Sequence, residues 1–254
     1  MKKIVLLCLA IVLLWSEDKV DALTIIQKSD KVRNAGRSFY QQCSITEYVD
    51  AKKTDAMLVS IYSKIEENSG QYRTLVRIQK PKKDKNKLIM RNGNILWFYD
   101  PNSKASMQIS PQQRLLGQSS NGDVMASNFA FDYEAELKET QRIKGGDKKE
   151  HECYRLELKA INNDVSYPLV EYWVEKETFY PIEAKFYTKS KKLLKDVYFR
   201  KYKEVLGVVR PTEVLIFNGF DRSRATKMSF GKVKEMEIPN FWFSRDYLVK
   251  FDGE

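Results

Sequence analysis

Residue types that catalyse reactions or bind metals are scarce in this 254-residue sequence, which has one histidine and three cysteines. A Ser-His-Asp hydrolase would have to use the single histidine, His151, and no serine has the flanking glycines of a nucleophile elbow. A zinc site needs several Cys or His ligands, and here they are widely spaced. The composition therefore predicts neither a metal nor a cofactor, and it favours a function other than catalysis.

Two further catalytic patterns are weak. Residues 144–147 contain two glycines but lack the downstream Gly-Lys-Ser/Thr of a phosphate-binding loop, so they are typical of a turn. Carboxylates such as Asp132, Glu134 and Glu136 could form a glycosidase-type pair, but they also fit a solvated helix face. A secreted hydrolase is therefore the third alternative, behind two non-enzymatic functions.

The sequence also lacks an apolar run long enough to span a bilayer, which takes about 20 residues. Its longest run, residues 4–15, follows Lys2 and Lys3 and precedes Val20-Asp21-Ala22. This order predicts a cleaved signal peptide over residues 1–22, with an uncleaved anchor as the alternative. We expect the mature protein, residues 23–254, to work outside the cytoplasm, in the periplasm.

Positive charge is in excess, with a formal net charge of +10. The predicted signal peptide carries as many lysines as acidic residues, so the mature chain keeps this charge. For a secreted protein a membrane surface is a more suitable polyanion than nucleic acid, since anionic lipids attract each nearby lysine by ~1 kcal/mol. Two lysine-rich segments, residues 80–87 and 189–195, are the predicted contact surfaces.

Two cysteines remain after cleavage, Cys43 and Cys153. An oxidising compartment permits a disulfide between them. Each lies in a segment of alternating apolar and polar residues, so two separately buried thiols are nearly as good an interpretation.

Period-two alternation dominates the mature chain and predicts about a dozen strands. They cover residues 39–49, 56–65, 71–79, a hairpin over 88–99, and 104–109, 137–143, 152–158, 170–175, 182–187, 193–202, 208–217 and 224–236. Asn92-Gly93 is predicted to form the type I′ turn of the hairpin. So many strands in one domain favour a barrel or a strongly curved sheet wrapped on helices.

Helices are few in this interpretation. One is predicted over residues 23–35, with Gly36 as its stop signal. Short helical pieces are expected at 112–116, 123–127 and 132–137, and an amphipathic helix at 241–251. No linker or repeat divides the chain, so a single domain over residues 23–254 is predicted.

A series of motifs resembles a known family. It includes Trp97-Phe98-Tyr99-Asp100-Pro101, Cys153-Tyr154-Arg155-Leu156-Glu157-Leu158, Tyr172-Trp173-Val174-Glu175-Lys176 and Gly207-Val208-Val209-Arg210-Pro211. In order and spacing it resembles the outer-membrane lipoprotein-sorting proteins related to LolA and LolB, in particular a longer branch often found near RND-type exporters. The resemblance implies a half-open antiparallel β-barrel of about eleven or twelve strands, with helices covering the concave face as a lid.

The resemblance also implies a non-enzymatic carrier, which binds the acyl chains of a lipoprotein or another lipid and moves them toward the outer membrane. Burial of one acyl chain is worth on the order of 10 kcal/mol at ~0.8 kcal/mol per CH₂. The predicted ligand-binding residues are Trp97, Tyr99, Leu115, Leu116, Met125, Phe129, Phe131 and Trp173.

Residues 111–137 are the predicted lid, and the alternative is that their apolar side chains are fixed parts of an ordinary core. The alternative function is an interaction module of the same fold. It would partner an RND-type membrane exporter or the envelope surface through the two lysine-rich segments.

Overall fold

A computed structural model describes residues 20–93, 95–161 and 165–253. The predicted signal peptide lies almost wholly outside these ranges. No helix in the described residues is long and apolar enough to cross a bilayer. The first helix, α1 (Ala22–Arg33), begins one residue before the predicted start and is capped by Asp21, whose carboxylate accepts from the Thr24 amide at 2.7 Å.

The described residues are mostly β-structure. The strands are β1 (Phe39–Val49), β2 (Lys52–Ile65), β3 (Tyr72–Lys80), β4 (Leu88–Asn92), β5 (Ile95–Asp100), β6 (Ala105–Ile109), β7 (Arg114–Leu116), β8 (Ser119–Ser120), β9 (Tyr133–Lys144), β10 (Glu150–Ala160), β11 (Leu169–Glu175), β12 (Pro181–Tyr187), β13 (Leu193–Val205), β14 (Val208–Asn218) and β15 (Arg224–Glu235). A short helix, α2 (Phe129–Asp132), precedes β9.

Thirteen of these strands form one antiparallel sheet in the order β6-β5-β4-β3-β2-β1-β15-β14-β13-β12-β11-β10-β9. The pairing of β1 with β15 joins the two halves of the chain at the centre of the sheet. In the described residues β6 and β9 are the edges and do not pair with each other, so the sheet is open. The prediction of a mainly β, antiparallel fold is confirmed, with more strands than expected.

Residues from both halves of the sheet share one apolar cluster, which shows that the sheet is strongly curved. This cluster contains Ile61 and Ile89 from one half and Leu156 and Tyr172 from the other, together with Ile25 of α1. We call the face that carries this cluster the inner face. Helix α1 packs there and contacts β9, β12 and β14.

The outer face of β2–β5 is covered by the C-terminal residues. Trp242, Phe243 and Leu248 are buried there against side chains of these strands. The segment forms two short 3-10 helices, Asn240–Phe243 and Arg245–Lys250, and not the predicted amphipathic helix over residues 241–251. Adjacent Trp242 and Phe243 are both buried against the sheet, whereas an amphipathic helix buries residues three or four apart.

Most predicted strands are confirmed to within a few residues, but the predictions between residues 92 and 137 need correction. Asn92 pairs with Ile95, so the hairpin loop begins at Gly93, one residue later than predicted, and Gly93 adopts a φ of 58°. The predicted helical piece 112–116 contains strand β7, paired with β8. The piece 132–137 is the start of β9, where buried Tyr133 alternates with exposed Glu134 and Glu136, a strand pattern.

Cys43 and Cys153 are both free thiols, so the structure has the second of the two predicted arrangements, two separately buried thiols. Cys43 lies in the inner-face cluster. Cys153 lies in a separate cluster with Trp173 and Ile182. Neighbouring Tyr172 and Val174 belong to the inner-face cluster, so Trp173, and Cys153 with it, face the outer side of the sheet.

Candidate functional site

A cavity of about 160 Å³ lies between the inner face of the sheet, the C-terminal end of α1 and residues 122–132. We call residues 122–132 the cover segment. It comprises a short 3-10 helix (Gly122–Val124), an extended stretch and α2. Its Val124, Met125 and Phe129 side chains are buried against the inner face.

The walls of the cavity are mostly apolar. Side chains from both halves of the sheet contribute, among them Ile61 of β2, Phe186 of β12, Phe199 of β13, Val214 of β14 and Met228 of β15. Because aliphatic and aromatic surfaces line most of the cavity, the arrangement suits an apolar ligand.

Helix α1 holds the cover segment through a few polar contacts. The Arg33 guanidinium pairs with Asp30 at 2.6 Å and donates to the Ser127 carbonyl oxygen at 2.8 Å. Asn34 donates to the same carbonyl at 2.8 Å. The Asp30 carboxylate also accepts from the Ala130 amide at 2.9 Å. Helix α1 therefore does more than pack on the inner face, because its C-terminal end is hydrogen-bonded to the cover segment.

Two further anchors hold the segment, one at Asn128 in its middle and one at Asp123 near its start. The main-chain N–H of Asn128 donates to Gln71 Oε1 at 2.9 Å, and the side-chain Nδ2 of Asn128 donates to the Gly70 carbonyl at 2.8 Å. Near the start of the segment, the Asp123 carboxylate accepts from the Tyr167 hydroxyl at 3.1 Å and forms an ion pair with Lys195. These contacts are hydrogen bonds and ion pairs without any covalent link.

Burial affects the carboxylates around the cavity. Burial raises the pKa of Asp30 above its ordinary value, although the nearby Arg33 charge opposes the shift. Burial likewise raises the pKa of Asp132, with Arg91 at 3.8 Å opposing it. The Arg91–Asp132 pair links β4 to the end of the cover segment, so charge as well as apolar packing connects the two sides of the cavity.

The eight predicted ligand-binding residues separate into three groups: two line the cavity, three lie elsewhere without lining it, and three lie on the outer face of the sheet. Met125 and Phe129 line the cavity. Leu116 is buried in the inner-face cluster and Leu115 packs against it, but neither lines the cavity. Phe131 is 49% exposed, and its ring lies beside Gly70.

The other three predicted residues lie on the outer face. Tyr99 is buried in the cluster under the C-terminal segment, and Trp97 packs against that cluster. The Arg245 guanidinium lies over the Trp97 ring, 4.7 Å from its centroid. Trp173 lies in the cluster of Cys153, with Lys185 over its ring at 5.0 Å. The structure therefore does not bring Trp97, Tyr99 and Trp173 to the cavity.

The charged residues of the site are not among those predicted from the sequence. Arg33, Arg91 and Arg210 all line the cavity. Asp30 and Arg33 are spaced three residues apart on a predicted helix, a spacing that pairs opposite charges and was available as a signal. Arg210 lies in a strand-forming segment next to a proline, and nothing local marks it as buried.

The lysine-rich segments differ in exposure. Lys82, Lys83 and Lys85 are exposed, whereas Lys87 pairs with Asp84 at 2.9 Å. Lys195, from the second segment, is turned inward to Asp123 and is 12% exposed. No group of three or more His, Cys, Asp or Glu residues in the described part of the chain could hold a metal.

The curved open sheet with a covered inner face is the fold of the LolA superfamily. A LolA superfamily protein from Nitrosomonas europaea is similar with a TM-score of 0.79 and 29% identity, over 90% of this chain and 99% of that one. A protein from Vibrio parahaemolyticus described as an outer membrane lipoprotein-sorting protein domain has a TM-score of 0.76 and 16% identity, over 90% and 98%. A DUF1329 family protein from Desulfovibrio piger has a TM-score of 0.75 and 18% identity, over 89% and 97%.

The chain belongs to the family whose model, described as "Uncharacterized protein", matches residues 70–250. The resemblance to the outer-membrane lipoprotein-sorting proteins is thereby confirmed at the level of the fold. A comparison with curated proteins gave no match.

Proposed function

We propose that this protein is a non-enzymatic carrier, and that its cavity binds the acyl chains of a lipoprotein or another lipid. Its site of action is the periplasm, where it moves the lipid toward the outer membrane as a single domain of residues 23–254. The observation that carries the proposal is a mostly apolar cavity covered by a segment that is held by hydrogen bonds, ion pairs and apolar packing, with no covalent link.

Loading requires the cover segment to move. The cavity of about 160 Å³ is smaller than the ~300–1,000 Å³ typical of sites for drug-sized ligands. An acyl chain therefore does not fit while Met125 and Phe129 occupy the inner face. Burial of the chain, on the order of 10 kcal/mol at ~0.8 kcal/mol per CH₂, offsets the loss of the contacts made by the segment. Met125 and Phe129 are accordingly the two predicted residues that we propose to contact the ligand.

The test begins with protein purified from the periplasm after expression of the full sequence. Native mass spectrometry followed by lipid extraction should reveal a bound lipid. A fluorescent fatty acid should bind to protein stripped of this lipid. Absence of both an adduct and probe binding would contradict the proposal.

A variant that fills the cavity sharpens the test. Val214→Trp adds a large side chain to the cavity wall and should weaken probe binding at least about tenfold, since overpacking costs ~1–3 kcal/mol. Val209→Trp is the matched control, because Val209 is exposed on the same strand. Equal binding by the two variants would place the probe outside the cavity.

Contact with a membrane surface is a second part of the proposal, supported by the exposed Lys82, Lys83 and Lys85. Reversal of these charges to Glu should weaken binding to vesicles that contain anionic lipid and leave unfolding unchanged. If this change abolishes binding to an RND-type exporter but does not affect vesicle binding, the alternative interaction module is favoured.

A further inference from the structure

Arg210 of β14 is a buried cation without a counter-ion. Its side chain lines the cavity and the residue is 8% exposed. Among the described residues it forms no ion pair, and its Nη1 atom has no hydrogen-bond partner. An unpaired buried charge costs several kcal/mol, so its presence needs a reason.

The other charged groups of the cavity do not supply this counter-ion. Asp123 is paired with Lys195, and Asp132 lies 3.8 Å from Arg91. Arg33, which also lines the cavity, has the same sign as Arg210 and is paired with Asp30. The cavity therefore has one positive charge more than its carboxylates neutralise.

Further unpartnered polar atoms line the same cavity. Arg33 Nε and Gln41 Oε1 are buried and lack hydrogen-bond partners, as does Arg210 Nη1. The Phe39 ring lies 5.4 Å from the Arg210 guanidinium and keeps one side of it apolar. Burial lowers the pKa of Arg210 to about 10, and the side chain is still a cation at neutral pH. The two free donors, Arg33 Nε and Arg210 Nη1, together with the fixed positive charge of Arg210, suit an anionic oxygen.

We propose that Arg210 binds the anionic headgroup of the lipid, through a carboxylate or phosphate oxygen, while the acyl chain lies along the apolar wall. This inference rests on the proposed carrier function and narrows its ligand to an anionic lipid. A guanidinium is well suited to the task, since its donors match the geometry of both groups.

The test compares three ligands that share a C16 chain: palmitate, hexadecyl phosphate and the uncharged hexadecanol. Competition with a fluorescent fatty acid at pH 8 gives their affinities. We expect the wild type to bind the two anions roughly tenfold or more tightly than hexadecanol, the gain of a charge-assisted hydrogen bond. Arg210→Met should remove this preference and leave hexadecanol binding unchanged, and Arg210→Lys should keep part of it. Lys53→Gln removes an exposed charge from β2 and should behave as the wild type.

The outcomes separate the two proposals. Equal preference for the anions in the wild type and in Arg210→Met overturns the role of Arg210 and leaves the carrier function standing. Failure of all three ligands to bind the wild type overturns the carrier function itself. Inorganic phosphate alone is a further probe, and its effect on the melting temperature is compared between the wild type and Arg210→Met. If phosphate stabilises only the wild type and no lipid binds, the site takes a soluble anion and a lipid headgroup is excluded.

Discussion

The guanidinium of Arg33 lies over the ring of Phe129, 3.6 Å from its centroid, and also donates to the neighbouring Ser127 carbonyl. One side chain of α1 thus makes both a cation–π contact and a hydrogen bond with the cover segment. Opening the cavity must break both contacts, while the Asp30–Arg33 pair within α1 can persist. A substitution of Arg33 should therefore destabilise the form in which the segment covers the cavity.

Removal of Arg33 should strongly destabilise the protein. Arg33→Met leaves the Asp30 carboxylate buried without its partner, which costs about 3–5 kcal/mol of the free energy of unfolding. The double variant Asp30→Asn/Arg33→Met removes the stranded charge and should recover much of this loss. Urea unfolding measures both.

The matched control is Arg37→Met, because Arg37 forms an exposed ion pair with Glu235 and is itself 44% exposed. Its loss should cost less than about 1 kcal/mol. The folded double variant should also admit a fluorescent fatty acid faster than the wild type. A single variant as stable as Arg37→Met would contradict the role of the pair.

Tryptophan fluorescence distinguishes the two faces of the sheet. Trp97, Trp173 and Trp242 do not line the cavity. A brominated fatty acid, which quenches on contact, should therefore leave their emission nearly unchanged. Phe129→Trp places an indole at the cavity and should add an emission that the bound acid quenches. Strong quenching in the wild type would instead support the sequence prediction for Trp97 and Trp173.

The burial of both faces of the sheet explains what the sequence could and could not predict. Alternation identifies strands because each apolar side chain has a polar neighbour. In β5, however, Leu96 and Phe98 contact the inner-face cluster while Trp97 and Tyr99 face the opposite side, so both faces are apolar. The outer face is buried by a segment more than a hundred residues away in the sequence, and no local pattern contains that information.

The burial of Arg210 could not be predicted from the sequence for a similar reason. Arg210 follows exposed Val209 in an ordinary strand, and its burial depends on the curvature of the whole sheet. The cover segment lies within residues 111–137, the range that the sequence marks as a candidate lid because its loose pattern contrasts with the strands. The movement of this segment stays a prediction. Which of its side chains line the cavity depended on tertiary packing, and only Met125 and Phe129 do so among those predicted.

Both thiols should be unreactive in the folded protein. Cys43 and Cys153 are fully buried, and burial raises the pKa of each thiol, that of Cys153 to about 12. An aromatic disulfide reagent should therefore titrate neither thiol under native conditions and both in urea. Reducing agent should leave the melting temperature unchanged. A melting temperature that falls on reduction would instead indicate a disulfide.

Stability should depend on pH through His151. Burial opposes the charged imidazole, but hydrogen bonds with Glu175 at 2.7 Å and Asp147 at 3.1 Å outweigh it and raise the pKa of His151 above 6.5. A raised pKa stabilises the fold fully below the ordinary value of 6.5, and the contribution is lost as the pH rises through the folded-state pKa.

The measurement is urea unfolding of the wild type and His151→Gln at pH 6 and pH 9. The wild type should be more stable than the variant at pH 6 by less than about 1 kcal/mol, because the pair is partly exposed to solvent. The difference should shrink at pH 9. A difference that grows with pH would mean that the imidazole is bound in its neutral form.

Arg210 provides the last prediction, in which stability and binding change in opposite directions. Because the ligand-free protein buries this charge without a partner, Arg210→Met should raise its free energy of unfolding by about 1–3 kcal/mol. A residue kept only for packing would show the reverse, since its removal would leave a void. Addition of palmitate should then stabilise the wild type more than the variant, because bound anion compensates the charge only where the arginine is present. If Arg210→Met lowers the stability of the ligand-free protein, the guanidinium is satisfied without a ligand and the anionic headgroup site is excluded.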